Sequence, residues 1–184
     1  MSNITKSALE TSLKKLLKTN RIDKITIRQI TDDCGISRAA FYYHFRDIYD
    51  LVEWIFVKRF IEPFSRKPDT APWDKRLTDI LDEMYREKDF VYSIYNFVNF
   101  KRLQNYLYEF LNNYLYGIIK KKSAGYALSE ENKRTIADFY KYSIVGAIFD
   151  WLDKGMDISP GALVRKISLF GSGGIDYQIK KFST

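Results

Sequence analysis

The chain has 184 residues and a formal net charge of +7, enough length to bury the core of one large domain or of a small domain joined to a larger one. Its single cysteine, Cys34, excludes an internal disulfide and a cysteine-based zinc site, and we expect no metal and no cofactor. No apolar run approaches the roughly 20 residues that span a bilayer, and the amino terminus has no apolar signal region, so we expect a cytoplasmic protein without a membrane partner.

Three helical patterns open the chain. Residues 5–18 place leucines on one stripe with lysines opposite, which predicts an amphipathic first helix. Thr26 is a suitable amino-terminal cap for a second helix, and Gly35 can adopt the left-handed conformation that ends it. Ser37 then caps a third helix over residues 38–45. Two short helices that meet at a glycine turn predict a helix-turn-helix, whose second helix enters the major groove of DNA.

The residues around this turn follow a known pattern. Residues 34–37 are Cys-Gly-Ile-Ser, residues 41–45 are Phe-Tyr-Tyr-His-Phe, and Asp47 and Leu51 follow in register. The segment resembles the helix-turn-helix of the TetR family of bacterial transcriptional regulators. It departs from the family at Ile48, where most members have a lysine that pairs with a DNA phosphate.

The resemblance assigns phosphate-contacting roles within the matched segment. Thr26, Arg28 and Tyr42 are expected to contact phosphates, and Ser37 is expected to cap the helix and to contact the DNA backbone. The sole histidine, His44, is expected to hydrogen-bond a phosphate, since no nucleophile accompanies it for catalysis.

Base contacts are expected from Arg38, Ala39 and Tyr43. Arginine can donate two hydrogen bonds to guanine, while alanine and tyrosine offer apolar contact to thymine methyl groups. Positive charge is concentrated at the same end of the chain, because residues 1–46 hold nine Lys and Arg against four Asp and Glu. That excess favours binding to phosphates in general and does not by itself recognise a sequence.

The rest of the chain is also predicted to be helical. Asp47 is expected to cap a fourth helix that ends near Pro63, and residues 65–73 form the predicted linker. The helices predicted after the linker cover residues 74–88, 90–98, 101–121 and 129–154, with a last helix from Pro160. Its glycine-rich end is followed by a tail, residues 175–184, with no predicted element. The predicted fold is all-α, with a three-helix DNA-binding domain over residues 1–47 and a helical-bundle effector-binding and dimerisation domain over residues 48–184.

Aromatic residues are absent from residues 1–40, and 11 fall in the 32 positions from Tyr85 to Tyr116. From the residues alone, such a belt either fills a solid core or walls a cavity. In the TetR family the helices after the linker enclose an effector pocket, so the resemblance implies a pocket here. The candidate pocket residues are Tyr85, Tyr92, Tyr95, Asn96, Asn99, Tyr106, Phe110 and Tyr114.

The last two long helices carry stripes of small and apolar residues. From the residues alone, packing within one subunit is favoured, because most amphipathic stripes are core. TetR-like proteins are homodimers joined by these two helices, so the resemblance implies an intersubunit interface. The candidate interface residues are Phe139, Ser143, Gly146, Ala147, Trp151, Leu163, Ile167 and Phe170.

The predicted function is a homodimeric TetR-like repressor that binds a pseudopalindromic operator in double-stranded DNA and is relieved by a small apolar or aromatic effector. Around residues 50–56 and in its short carboxyl half, the chain is also similar to regulators of dihydroxyacetone kinase operons, which act through a protein co-regulator. Co-regulator-dependent activation is therefore one alternative, and a helical adaptor that binds no DNA is another. An enzyme is not expected, since no nucleophile with its base and no phosphate-binding loop after a strand is present.

Overall fold

The computed structural model describes residues 2–63, 72–95, 100–171 and 173–183, and every regular element in those residues is helical. The predicted all-α fold is confirmed. The chain divides into two compact units, Met1–Lys67 with Glu83–Phe100 and Pro68–Asp82 with Lys101–Thr184. The end of the DNA-binding domain that was predicted between residues 47 and 48 is a different boundary, and it stays a prediction.

The first unit begins with short helices packed around aliphatic side chains. Its elements in chain order are α1 (Ser2–Leu17), a 3-10 turn (Ile22–Lys24), α2 (Ile27–Cys34), α3 (Arg38–His44) and α4 (Ile48–Phe56). The helix α1 packs against α2 and α4. Leu9 and Leu13 of α1 are fully buried, as are Ile30 of α2, Phe41 of α3 and Leu51 of α4. This shared core fixes the helix-turn-helix on α1.

A π-helical segment, Val57–Ile61, continues α4 without a break, and the sequence periodicity did not predict it. Its wider turn contains Lys58 and Arg59, whose nitrogens lie 3.2 and 2.6 Å from the carboxylate of Glu10 on α1. Glu10 is only 4% exposed, and a buried carboxylate is stable only when it is paired. The two ion pairs therefore tie the end of α4 to α1.

Six further helices follow in the described residues. They are α5 (Trp73–Arg86), α6 (Lys88–Tyr95), α7 (Phe100–Lys122), α8 (Glu130–Asp153), α9 (Pro160–Gly171) and α10 (Gly174–Phe182). The bounds of α5 to α8 agree closely with those predicted. Ser129 caps α8 as expected, because its hydroxyl accepts a hydrogen bond from the Asn132 amide at 3.1 Å.

The helix α10 occupies most of the tail, residues 175–184, for which the sequence predicted no element. Gly173, with φ of 80°, turns the chain after α9, and α10 then packs against both α8 and α9. Ile179 is 1% exposed, and Asp176 accepts a hydrogen bond from Lys122 of α7 at 2.8 Å. Tertiary burial and an ion pair therefore stabilise a helix that is too short to form alone.

Candidate nucleic-acid interface

The amino terminus of α2 is held by a capping box. The Thr26 hydroxyl accepts a hydrogen bond from the Gln29 amide at 3.2 Å, and the Gln29 side-chain oxygen accepts one from the Thr26 amide at 2.8 Å. The same hydroxyl donates to the Gln29 side-chain oxygen at 2.9 Å. The predicted cap is confirmed, and any phosphate contact of Thr26 would have to share a hydroxyl that already serves the helix end.

The turn between α2 and α3 has the geometry that its glycine suggested. Gly35 lies in the left-handed region, with φ of 66° and ψ of 25°, and its amide donates to the carbonyl of Thr31. The next amide, that of Ile36, donates to the same carbonyl at 3.0 Å. Ser37 then caps α3, since its hydroxyl accepts from the Ala40 amide at 3.2 Å. Both ends of the turn are therefore fixed by local hydrogen bonds.

The helix α3 divides into a buried face and an exposed face. Phe41 is fully buried and Phe45, which follows the helix, is 4% exposed. On the other side, Tyr43 is 84% exposed and Tyr42 is 51% exposed. The predicted base-contacting residues Arg38 and Ala39 are exposed as well, and the described residues contain no ion-pair partner for Arg38. A continuous outward surface is therefore available on α3.

His44 is the last residue of α3 and lies at the end of this surface. It is half-buried, and its ring meets the Tyr43 ring edge to face at a centroid distance of 4.9 Å. The described residues contain no cluster of His, Cys, Asp and Glu side chains that could hold a metal ion. The His44 side chain thus lies beside the exposed Tyr43, and the described residues give it no partners for binding a metal ion.

Two polar contacts position α2 on α1. The Ser12 hydroxyl donates to the carbonyl of Ile30 at 2.9 Å in a buried environment. The Lys15 ammonium lies 2.5 Å from the Asp33 carboxylate, and its hydrogen bond lowers the pKa of Asp33, with smaller contributions from Ser12 and from the charge of Lys15. These contacts orient α2, and through the turn they orient α3.

The predicted effector pocket does not coincide with a cavity formed by described residues of the second unit. That cavity has a volume of about 870 Å³ and lies among α8, α9 and α10, with Trp73 of α5 and Leu115 of α7 also in its wall. None of the predicted pocket residues lines it. Two of them, Asn96 and Asn99, lie outside the described residues. The pocket predicted from the aromatic belt is therefore not this cavity, and it stays a prediction.

The other aromatic candidates fall into separate places. Tyr85 and Tyr106 are 43% and 42% exposed, so water already covers much of their rings. Within the first unit, the rings of Tyr92 and Tyr95 meet edge to face at 6.4 Å. In the second unit, Phe110 stacks on Tyr114 at 6.5 Å, and the Arg76 guanidinium lies 5.2 Å from the Tyr114 ring. These four rings are partly buried and meet other side chains in pairs.

The predicted interface residues divide into surface and core positions. Trp151 and Leu163 are 1% and 5% exposed, and the Trp151 indole donates to the carbonyl of Ile158 at 2.8 Å. They belong to the core of the subunit, which corrects their assignment to an interface. The residues that remain accessible or partly accessible are Phe139, Ser143, Gly146, Ala147, Ile167 and Phe170.

Sequence reasoning also missed residues of the cavity wall, notably Trp73, Tyr140 and Lys166. Tyr140 lies on the buried face of α8. The signal that could have identified it is its hydroxyl, because a tyrosine buried in an apolar stripe needs a hydrogen-bond partner.

Family models match both units of the chain. A model of bacterial regulatory proteins of the tetR family matches residues 14–55, and a model of a transcriptional regulator C-terminal region matches residues 72–172. The chain belongs to the TetR family. It is accordingly a DNA-binding transcriptional regulator and not an enzyme.

Two comparisons with individual proteins agree with membership of the TetR family. The solved structure of the dihydroxyacetone kinase operon activator DhaS superposes with a TM-score of 0.73, at 22% identity over 98% of this chain and 99% of that one. The HTH-type dhaKLM operon transcriptional activator DhaS of Lactococcus lactis subsp. lactis (strain IL1403) is 27% identical over 107 residues, which are 56% of this chain and 57% of the relative. In the described part of the chain, no helix is long and apolar enough to cross a membrane.

Proposed function

We propose that the protein is a homodimeric, sequence-specific regulator whose helix α3 enters the major groove of its operator. The division of α3 into two faces carries this proposal. Phe41 is fully buried while Tyr43 is 84% exposed, so the helix is anchored by one side and presents the other. An exposed helix face of this kind fits the width of the major groove.

The roles of individual side chains follow from their present partners. Arg38 has no ion-pair partner among the described residues, so it can approach guanine without losing a contact, and Ala39 and Tyr43 lie beside it. Arg28 lies 3.4 Å from Asp32 in an exposed pair, and such a pair is weak enough to be exchanged for a phosphate. Tyr42 is half-exposed and is proposed as a second phosphate contact.

A second subunit is proposed because α8 and α9 leave apolar side chains uncovered. Phe139 is 64% exposed and Phe170 is 83% exposed. On α8, Ser143 and Gly146 are also exposed, and a side-chain carbon added at Gly146 would meet no heavy atom within 4 Å. Exposed rings beside small residues are typical of a surface that a second helix pair covers. Two copies of α3 would then read two half-sites.

The proposed effect on transcription is activation, in place of the repression predicted from the sequence. This proposal is supported by the similarity to the dhaKLM operon transcriptional activator of Lactococcus lactis. A reporter gene fused to the selected operator and its promoter would measure the effect. Expression of the full chain should raise reporter output, and a fall in output would establish repression instead.

Selection of bound duplexes from a random pool tests DNA recognition directly. The full chain should enrich two inverted half-sites whose centres lie about one helical turn, or a multiple of it, apart. Tyr43→Ala should lose the enriched motif, while a matched change outside α3, Tyr126→Ala in the loop after α7, should retain it. Tyr126 is also exposed, at 44%. Absence of any enriched motif would contradict sequence-specific binding and favour the helical adaptor.

A further inference from the structure

A single basic side chain lies at the junction between α3 and α4. Arg46 is the only Lys or Arg in residues 39–57, and it lies in the short connection between His44, where α3 ends, and Ile48, where α4 begins. Its side chain is 69% exposed. Any arginine or lysine contact with DNA from this junction therefore has to come from Arg46.

The backbone of the junction directs Arg46 toward the exposed side of α3. Phe45 continues the buried face of that helix, since its ring lies 5.9 Å from the Phe41 ring and the residue is 4% exposed. Phe45 has an extended backbone, with φ of −141° and ψ of 139°, and successive side chains of an extended chain point in opposite directions. Arg46 therefore leaves the chain on the side opposite to Phe45, where Tyr42 and Tyr43 are exposed.

Hydrogen bonds hold this backbone in place. The Asp47 carboxylate accepts a hydrogen bond from the Asp50 amide at 2.8 Å, and the Asp50 carboxylate accepts one from the Arg46 amide at 3.0 Å. The Phe45 ring also meets the Trp54 ring of α4 at a centroid distance of 5.8 Å. Because the backbone is already ordered, a contact made by the Arg46 side chain loses less conformational entropy than a contact made from a mobile loop.

The guanidinium of Arg46 can still bind an anion. Its closest approach to the Asp50 carboxylate is 3.6 Å, from Nε, which is too long for a hydrogen bond. An exposed ion pair of this kind contributes little to stability. An arginine has five N–H donors, so its two terminal nitrogens can donate to a further partner.

We propose that Arg46 binds a DNA phosphate at the edge of the groove that α3 enters, so the inference rests on the proposed docking of α3. The helix α3 has seven residues and is therefore about 10 Å long, while the major groove is about 12 Å wide. The amino-terminal residues of a recognition helix reach the bases, so the junction beyond its other end lies beside the sugar-phosphate backbone. A guanidinium binds phosphate there through two parallel N–H donors.

Fluorescence anisotropy of the full chain with a random-sequence duplex and with the selected operator, over a salt series, tests the proposal. Arg46→Gln should weaken binding to both duplexes about tenfold at low salt. It should also reduce the slope of log K against log salt concentration by about 0.9 for each bound subunit. An unchanged slope would overturn the proposal. A loss of affinity confined to the operator would also overturn it, because Arg46 would then contact a base.

Arg46→Lys separates the charge from the shape of the guanidinium. The lysine variant should keep the wild-type slope because it keeps the charge. It should nevertheless bind both duplexes more weakly than the wild type, since an ammonium cannot donate two parallel hydrogen bonds to one phosphate. A slope as low as that of Arg46→Gln would contradict a phosphate contact.

Arg86→Gln is the matched control. Arg86 lies at the end of α5, has the same side-chain exposure of 69%, and also pairs with an acidic side chain, that of Glu83 at 3.1 Å. Its replacement should leave the affinity and the slope at their wild-type values. Equal effects of Arg86→Gln and Arg46→Gln would show that only the net charge of the chain matters, and would overturn the proposal.

The double variant Arg46→Gln/Asp50→Asn separates a phosphate contact from neutralisation of Asp50. If Arg46 only offsets the charge of Asp50, removal of both charges should restore wild-type binding, and that result would overturn the proposal. If Arg46 binds a phosphate, the double variant should remain weaker than the wild type and keep a reduced slope. Asparagine retains an oxygen that can accept from the amide of residue 46, and circular dichroism checks that every variant is folded.

The two duplexes distinguish failure of this contact from failure of the proposed function. If the wild type binds both duplexes equally, sequence-specific recognition fails, while the response of random-duplex binding to Arg46→Gln still decides the phosphate contact. If the wild type prefers the operator and Arg46→Gln binds both duplexes as the wild type does, the phosphate contact is overturned and the proposed function stands.

Discussion

Replacement of Phe170 by serine should dissociate the proposed dimer while leaving each subunit folded. Phe170 is 83% exposed in the single subunit, so its ring contributes little to the core and its loss should not unfold the chain. Burial of such a ring at an interface contributes about 2 kcal/mol. A two-fold dimer contains the residue twice, and the predicted loss is therefore about 4 kcal/mol, or on the order of a thousandfold in the dissociation constant.

Sedimentation equilibrium over a concentration series measures this change, and circular dichroism checks that the helices persist. The matched control is Tyr43→Ser, which removes a ring with nearly the same exposure, 84%, from the first unit. It should leave the dissociation constant unchanged. The reasoning would be refuted by a monomeric wild type, by an unaltered dissociation constant in Phe170→Ser, or by equal weakening in both variants.

Four other substitutions test the first unit. Arg38→Ala should reduce the free energy of DNA binding by about 1 to 3 kcal/mol at particular base pairs and change the selected motif; an unchanged motif would contradict its assigned role. Arg28→Ala should instead weaken binding to all duplexes and reduce the salt dependence by about one phosphate contact. Fluorescence anisotropy over a salt series separates the two effects. Gly35→Ala should destabilise the fold by about 1 kcal/mol in thermal unfolding because φ is +66° there, while Gly117→Ala, in a helix with open space beside it, should not. The hydrogen bond from Lys15 lowers the pKa of Asp33, so the stability that the pair adds is present above the unfolded pKa of about 4 and is lost as pH falls through the lower folded pKa. In urea unfolding, the free energy of unfolding of the wild type should therefore exceed that of Asp33→Asn near neutral pH, and the difference should disappear on acidification. A difference that persists at low pH would exclude this cause.

The helix-turn-helix was predictable because local interactions determine it. Thr26 and Ser37 cap helices within three residues of themselves, and Gly35 adopts a backbone angle that other residues avoid. Both partners of such a contact lie close together in the sequence, so the contact can be predicted from it. The bounds of the longer helices were predictable for a related reason, because hydrophobic periodicity and helix-breaking residues act over a single turn.

The cavity and the division of the apolar stripes were not predictable in the same way. Trp151 and Phe139 both belong to apolar faces of α8, yet one is 1% exposed and the other 64%. Which face is covered depends on the positions of α9 and α10, and those depend on contacts between residues distant in the sequence. The aromatic belt was likewise a true compositional feature, but it does not line the cavity described in the second unit.

The π-helical segment Val57–Ile61 changes the phase of the helix that begins with α4. A π turn accommodates one more residue than an α turn does, so the residues beyond it are rotated by about 100° relative to an uninterrupted α-helix. Phe60 and Ile61, at the end of the segment, are buried at 1% and 7% exposure. Deletion of one residue before them would rotate both side chains by about 100° away from the direction in which they are now buried. The length of this short stretch, more than its composition, is therefore what natural variation is expected to preserve.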